Sequence, residues 1–153
     1  MHIKRINKTE RHLVTDLFDQ YRVFYNQPSD RVLADRYIQQ RLANNESIIF
    51  VALETVNGTD TPVGFTQLYP TYSSVRATKN WILNDLYVDA AHRRKGIGEQ
   101  LIQAAMQMAK ADGARFVQLE TATDNYSAQR LYETIGFAKQ QPEDGFFVYR
   151  IAL

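Results

Sequence analysis

Apolar residues recur along this chain with two different periods, and the changes between them divide it into elements. His2 to Ile6 alternates like a short first strand. Thr9 then stands where a helix cap belongs, ahead of Leu13, Val14, Leu17, Phe18, Tyr21, Phe24 and Tyr25, a spacing that predicts one helix with a single buried stripe. Asn26-Gln27-Pro28 breaks that helix, and Ser29 with Asp30 starts a second one through Leu33, Tyr37, Ile38 and Leu42 to Asn44-Asn45, giving a helical hairpin. Ser47 to Thr55 is a continuous β-branched and aromatic run, as in a central strand covered on both faces. Asn57-Gly58 and Pro62 supply a turn, Val63 to Tyr69 reads as the next strand of a meander, and Pro70 ends it. Beyond a polar segment, Thr71 to Asn80, the stretch Trp81 to Val88 alternates Ile82, Asn84, Leu86 and Val88 with Leu83, Asp85 and Tyr87. Polar and apolar residues share both of its faces, which points to function at its end.

The helical period returns in Leu101, Ile102, Ala105, Met108 and Ala109 and stops at Asp112-Gly113, a left-handed termination. Phe116 to Thr121 predicts a strand, Ser127 to Ile135 a helix closed by Gly136, and Phe137 to Gln140 with Phe146 to Leu153 a final strand pair. No repeat, linker or low-complexity tract interrupts the chain, so residues 1–153 read as a single domain.

Composition narrows the chemistry. Eighteen Lys and Arg against seventeen Asp and Glu leave a net charge of +1, which gives no bulk attraction to nucleic acid or anionic membrane; a polyanion site must be local. Cys is absent, which excludes disulfides, thiolate metal sites and a cysteine nucleophile. The basic N-terminus lacks an apolar segment behind it, and the longest apolar run, Ile48 to Leu53, is far short of the roughly 20 residues that span a bilayer, so a cytoplasmic location is expected. His2, His12 and His92 lie in terminal, helical and loop settings, with no spacing that suggests a triad or a metal site.

Arg93-Arg94-Lys95-Gly96-Ile97-Gly98 sits where a strand hands over to an amphipathic helix. A turn of this kind presents backbone N–H groups at the positive end of a helix dipole, and glycine lets a phosphate approach the backbone. Arg93, Arg94 and Lys95 add side-chain charge. The plain alternative is a loop carrying a solvated basic cluster. A dinucleotide fingerprint needs a third glycine, and a Walker loop needs Gly-Lys-Ser or Gly-Lys-Thr, whereas Gly98 is followed by Glu99 and Gln100. His92 to Lys95 is a small footprint for nucleic acid and has no interleaved aromatics.

Leu86-Tyr87-Val88, Arg93-x-x-Gly96-x-Gly98 and Asn125-x-x-Ala128-x-x-x-Tyr132-x-x-x-Gly136-Phe137, in that order, resemble the GNAT superfamily of N-acetyltransferases. Many relatives carry Pro where this chain has Ala90, a departure that bears on loop stiffness. The resemblance implies a mixed α/β (α+β) fold. It comprises a central, mostly antiparallel splayed sheet of about seven strands flanked by four helices, with acetyl-CoA as co-substrate in the gap and no metal. Leu86, Tyr87 and Val88 would offer main-chain hydrogen bonds to the pantetheine arm and the acetyl oxygen. Arg94, Lys95, Gly96, Ile97, Gly98 and Glu99 would hold the pyrophosphate, with Arg93 beside them, and Asn125 and Tyr132 would touch the coenzyme. A backbone N–H aimed at the acetyl carbonyl would stabilise the charge that develops there.

Aminolysis of a thioester needs a deprotonated amine, a polarised carbonyl and a stabilised leaving thiolate. Tyr132 occupies the family's acid position, although a half-buried aromatic beside Leu131 and Ile135 explains it structurally; Asn125 is explained by capping alone. Asp85 and Glu120 are the two carboxylates on the strands expected to flank the gap, and Asp85 is preferred as base because it directly precedes Leu86.

Tyr69-Pro70-Thr71-Tyr72-Ser73 with Asn84-Asp85-Leu86-Tyr87-Val88-Asp89 resembles, more narrowly, the polyamine and thialysine acetyltransferases and a yeast group acting on polyamines and histones. That likeness implies a small cationic amine, although polyamine enzymes carry an acidic residue at the position of Asn84. Tyr25, Asp30, Asp35, Tyr72, Trp81, Asn84 and Asp85 are candidates to line the amine pocket, with Tyr25 and Trp81 equally suited to core or dimer contacts. Three other readings stay open: a catalytically silent acetyl-CoA sensor, a module that binds protein or nucleic acid through the basic turn, and an enzyme acting on protein lysines or N-terminal amines. A homodimer through the residues after Phe137 is also compatible with the family.

Overall fold

The computed structural model describes residues 1–141 and 147–153, which form two compact units, Met1–Glu120 and Thr121–Leu153. The first is built on five strands in the order β1 (His2–Arg5), β2 (Ile48–Val56), β3 (Thr59–Ser73), β4 (Thr78–Val88) and β5 (Val117–Gln118). The first three pairings are antiparallel and the last is parallel.

Period-two alternation gives each face of the sheet its own cover. Ile49, Val51, Leu53 and Phe65 pack with Val14, Leu17 and Phe18 of the segment entering and forming α1 (Thr15–Phe24), and with Ala34 and Ile38 of α2 (Arg31–Ala43). α3 (Ile97–Ala111) packs on β2, β3 and β4 and buries Leu101, Ile102, Ala105 and Ala109. Burying each of these larger aliphatic side chains contributes roughly 1.5–3 kcal/mol. The second unit contains α4 (Tyr126–Ile135), capped by Asn125 Oδ1, which accepts from the Ala128 N–H at 3.2 Å, and closed by Gly136 at φ 118°.

Several elements differ from the sequence expectation. Thr9 does not cap α1, which starts after Val14 with no side-chain cap; Asn7 instead caps a preceding 3-10 helix, Lys8–Leu13, its side chain accepting from the Thr9 N–H at 2.8 Å with Glu10 bonding back in a capping box. The longer Asx side chain reaches the backbone that a Thr at position 9 cannot. Pro70 does not end β3, which runs on to Ser73 with Pro70 opposite Trp81. β2 pairs β3 only as far as Leu68, so Pro70 lies on a free edge, where a missing N–H breaks no ladder bond. Most of the polar stretch read as a connection therefore belongs to a long β3–β4 hairpin.

Five strands stand where about seven were expected. Residues 137–141 and 147–153 contain no strand, and Phe146 lies outside the described residues. Phe147, Val148, Tyr149, Ile151 and Leu153 are all strongly exposed. Strand propensity needs a cross-strand neighbour and a face to bury against, and the described residues give these none.

Gly64 of β3 is a point of close approach: a Cβ there would lie 2.9 Å from the Tyr87 carbonyl oxygen. Gly64→Ala should lower stability by about 1–3 kcal/mol, read as a lower melting temperature, by pushing β3 from β4. An unchanged melting temperature would show that this contact is slack.

Candidate active site

β4 carries the site, and two irregularities shape it. Gln67 pairs with Asp85 but Leu68 pairs with Leu83, so Asn84 is an extra residue, a β-bulge that re-aims the side chains around it. On its other edge β4 meets β5 only at Trp81 and Ile82. From Leu83 to Val88 that edge has no strand partner among the described residues, which leaves main-chain groups at Leu86 to Val88 available for something other than sheet.

Asp85 is 3 % exposed. It accepts hydrogen bonds from Gln67 Nε2 at 2.5 Å and Asn84 Nδ2 at 2.8 Å, and from the Tyr21 hydroxyl. Burial pushes its carboxyl above the usual range, and the three donors oppose that rise. It lies on the wall of a cleft of about 290 Å³ together with Asn84, Phe18, Tyr21, Tyr37 and Tyr69. Tyr37 and Tyr69 share a 2.7 Å hydroxyl contact; burial, that bond and the nearby Asp85 charge raise the Tyr69 phenol, which keeps it neutral.

After β4 the chain enters the glycine turn. Asp89 accepts from the Ala91 N–H and from His92 Nδ1 at 2.9 Å, and the His92 contact first among causes holds its carboxyl below the usual range. His92 Nε2 also meets Glu54 Oε2 of β2 at 3.1 Å, so His92 ties the turn to the sheet and does not belong to an exposed cationic patch. Arg93 Nε donates to the Val88 carbonyl at 3.0 Å, and its guanidinium lies 5.7 Å from the ring centres of Phe24 and Tyr87. Arg93 thus braces the turn. Arg94, Lys95 and Gly96 are exposed; Arg94 (φ 62°) and Gly96 (φ 75°) take left-handed backbone, and no side chain caps α3. Gly98 and Glu99 follow in the first turn of α3, with Ile97 buried beneath them. Open N–H groups at a helix start, flanked by Arg94 and Lys95, suit a pyrophosphate.

The remaining expected residues are placed as follows. Tyr25 is 53 % and Tyr72 72 % exposed, and neither lines the cleft. Asp30 caps α2, and Asp35 pairs with Arg11. Trp81 is core, its Nε1 donating to Asp112 at 2.9 Å. Glu120 is exposed. Tyr132 is half-buried on α4, its ring edge-on to Phe137 at 5.9 Å. Sequence reasoning missed Gln67, Tyr37 and Tyr69 as parts of the site and took Tyr21 as helix stripe. The available signal was a polar tip at inward positions: a buried Tyr hydroxyl or Gln amide needs a partner.

A turn built for pyrophosphate beside an unpaired strand edge fits a coenzyme A thioester. The sequence profile of the Acetyltransferase (GNAT) family matches residues 11–137. The chain belongs to the GNAT family of N-acetyltransferases. It is similar to the uncharacterized N-acetyltransferase YhfO of Bacillus subtilis, with 41% identity over 97% of this chain and 95% of that protein. It is also similar to the crystal structure of "a probable acetyltransferase", with a TM-score of 0.88, 34% identity and full coverage of both chains. The aminoglycoside N-acetyltransferase AAC(6')-Iy in complex with CoA shares the fold, with a TM-score of 0.77 and 21% identity over 99% of this chain and 95% of that one. The chain is accordingly a GNAT acetyltransferase that uses acetyl-CoA. No helix among the described residues is long and apolar enough to cross a membrane.

Because folding raises the Asp85 carboxyl from its ordinary value of 3.8, the folded protein binds more protons than the unfolded chain just above that pH, and stability falls as pH rises through the folded value. Asp85→Asn removes this penalty, and Gln67, whose Oε1 has no partner, can turn to accept from the new amide. The variant should melt about 2–6 °C above the parent near neutral pH, with the gap closing toward pH ~4. A lower melting temperature at neutral pH would contradict this account of Asp85.

Proposed function

We propose that this chain acetylates a small, cationic primary amine held in the cleft beside Asp85, by direct attack on acetyl-CoA within a ternary complex. The observation that carries this reading is a buried carboxylate with a raised proton affinity, set in an aromatic-walled cleft next to the open edge of β4. A base serves best when its pKa lies near the working pH, and burial moves Asp85 that way. Aromatic walls attract an alkylammonium through their faces and exclude water from it.

In this reading acetyl-CoA supplies the activated carbonyl. Arg94, Lys95 and the N–H groups at the start of α3 bind the pyrophosphate, and main-chain groups at Leu86 to Val88 orient the pantetheine arm and polarise the acetyl oxygen. Asp85 takes the ammonium proton, the free amine attacks, a C–N bond forms, and the C–S bond breaks as the nitrogen gives up its second proton, which offsets the one delivered to sulfur. Tyr132 hydroxyl supplies the proton to the departing sulfur, an assignment supported by its place in the Asn125 to Phe137 motif. Glu120, exposed two residues beyond β5, is the second choice of base. The polyamine-like or thialysine-like acceptor suggested by Tyr69 to Asp89 belongs to the same proposal, as does a homodimer.

Thiol release from acetyl-CoA over a panel of primary amines tests the reading. In the parent, kcat/KM should rise with pH as Asp85 ionises; Asp85→Asn should lower it about 10²–10⁴-fold and flatten that limb. A preserved limb would move the role to Glu120 or to water. Separately, Tyr132→Phe should reduce kcat while leaving acetyl-CoA affinity nearly intact, since the hydroxyl is needed only as thiolate forms. Equal turnover in that variant would remove Tyr132 from the mechanism.

A further inference from the structure

The cleft beside Asp85 is lined by a second charged side chain. Arg22, from the last turn of α1, contributes to the same wall with its side chain 18 % exposed. Its contacts within the protein are long: Nη1 reaches the Pro28 carbonyl at 3.5 Å and lies 3.9 Å from Asp19 Oδ1. Asp19 is already occupied, its two oxygens accepting from the Ser29 hydroxyl at 2.6 Å and the Asp30 N–H at 2.8 Å. Burial works against the Asp19 charge, but these bonds together with Arg22 and Arg31 nearby hold its carboxyl below the usual range. Among the described residues Nε and Nη2 of Arg22 make no hydrogen bond. Arg carries five donors in a planar fork that matches a carboxylate, so a half-buried guanidinium with most of that fork unused is prepared for an anionic group.

We infer that Arg22 reads a carboxylate on the acceptor, so that the amine acetylated in this cleft is that of a free amino acid, its nitrogen toward Asp85 and its carboxylate toward Arg22. This rests on acetyl transfer to a small amine in the same cleft. Two opposite charges on one wall match a zwitterion, whereas a polyamine would bring a second positive charge against Arg22. At about 290 Å³ the cleft lies at the small end of ligand pockets, in keeping with an acceptor of amino-acid size. The transfer balances: the ammonium nitrogen loses one proton to Asp85 before attack and a second as the tetrahedral adduct collapses, which offsets the proton gained by sulfur; the acetyl C–N bond replaces the C–S bond, and the products are an N-acetyl amino acid and the coenzyme thiol. Arg22 acts in specificity and takes no part in proton transfer.

The experiment is thiol release from acetyl-CoA with free α- and ω-amino acids, each beside its own carboxamide and its decarboxylated amine. The parent should prefer the acid by at least about tenfold in kcat/KM, and Arg22→Gln should raise KM for the acid about tenfold to hundredfold with a smaller change in kcat, bringing the acid-to-carboxamide ratio near one. If Arg22→Gln lowers the melting temperature, Arg22→Lys, which keeps the charge but loses the fork, should still raise KM for the acid selectively. A parent that acetylates carboxamides or decarboxylated amines as well as acids, or variants that keep the parent's preference, would overturn the inference while leaving small-amine acetylation standing. Failure of every amine in the panel, with acetyl-CoA binding intact by calorimetry, would instead overturn the small-amine reading itself.

Discussion

β4 and β5 stay together for two residue pairs and no more. Everything else at the site follows from that short pairing. A strand buried on both neighbours has its main-chain groups satisfied by the ladder, and nothing can bind them. Releasing one edge of β4 from Leu83 onward frees such groups while the other edge remains locked to β3 through Val88. The free edge is thus backed by a continuous ladder on its other side, which suits the proposed role of orienting a thioester. The bulge at Asn84 falls just past the last pair with β5, and it sets Asp85 opposite Gln67. Edge and carboxylate thus come from two departures from regular sheet that lie side by side on β4.

Around Asp85 the wall is tyrosine where a plain core would use leucine or phenylalanine. Each ring adds apolar area, and each hydroxyl has a partner in the wall: Tyr21 bonds Asp85, and Tyr37 meets Tyr69. Phe18 stacks on Tyr37 at 5.4 Å, so the same rings belong to the core behind them. Such a wall stays shaped when empty, because its polar tips are bonded to one another and do not collapse into the cleft. Arg93 extends it toward the coenzyme turn, its guanidinium near Phe24 and Tyr87 and its Nε on the Val88 carbonyl. Arg93 thus joins the end of α1 to the turn that follows β4.

Why the turn from Arg93 to Gly98 was legible in sequence, and the cleft was not, has a physical reason. Glycine at φ 75°, a basic run and an amphipathic helix are local properties, written within fifteen or so residues. The cap by Asn125 and the stop at Gly136 are local in the same way, and the family motif fixed their order. By contrast, Tyr21, Tyr37, Tyr69 and Asp85 come together from four elements. Periodicity states that their side chains point inward; it does not state whether the inward face meets packed atoms or a cleft. Pro70 was misread for a related reason: a proline is forbidden in a central strand and harmless on an edge, and which of these β3 is at that point depends on where β2 stops. Tyr25 and Tyr72 show the converse, aromatics that sequence periodicity does not mark as exposed and that lie outside the cleft beside Asp85.

Asp85 joins these two lines of reasoning. For the proposed role of base, a carboxylate only 3 % exposed and with no donors would keep its proton, whereas one given a full ion pair would ionise readily and hold the proton of an amine too weakly. Asp85 has neither extreme. Gln67, Asn84 and Tyr21 are neutral donors, so they limit the effect of burial without supplying a countercharge. Arg22 stands on the same wall with its ion-pair contact at Asp19, 3.9 Å away, and is not among the groups that shift Asp85. The cost appears in the scaffold: Gln67 Oε1 is left without a partner so that Nε2 can serve Asp85. A buried acceptor with no partner among the described residues costs stability, and it sits opposite the bulge, beside the carboxylate proposed as base.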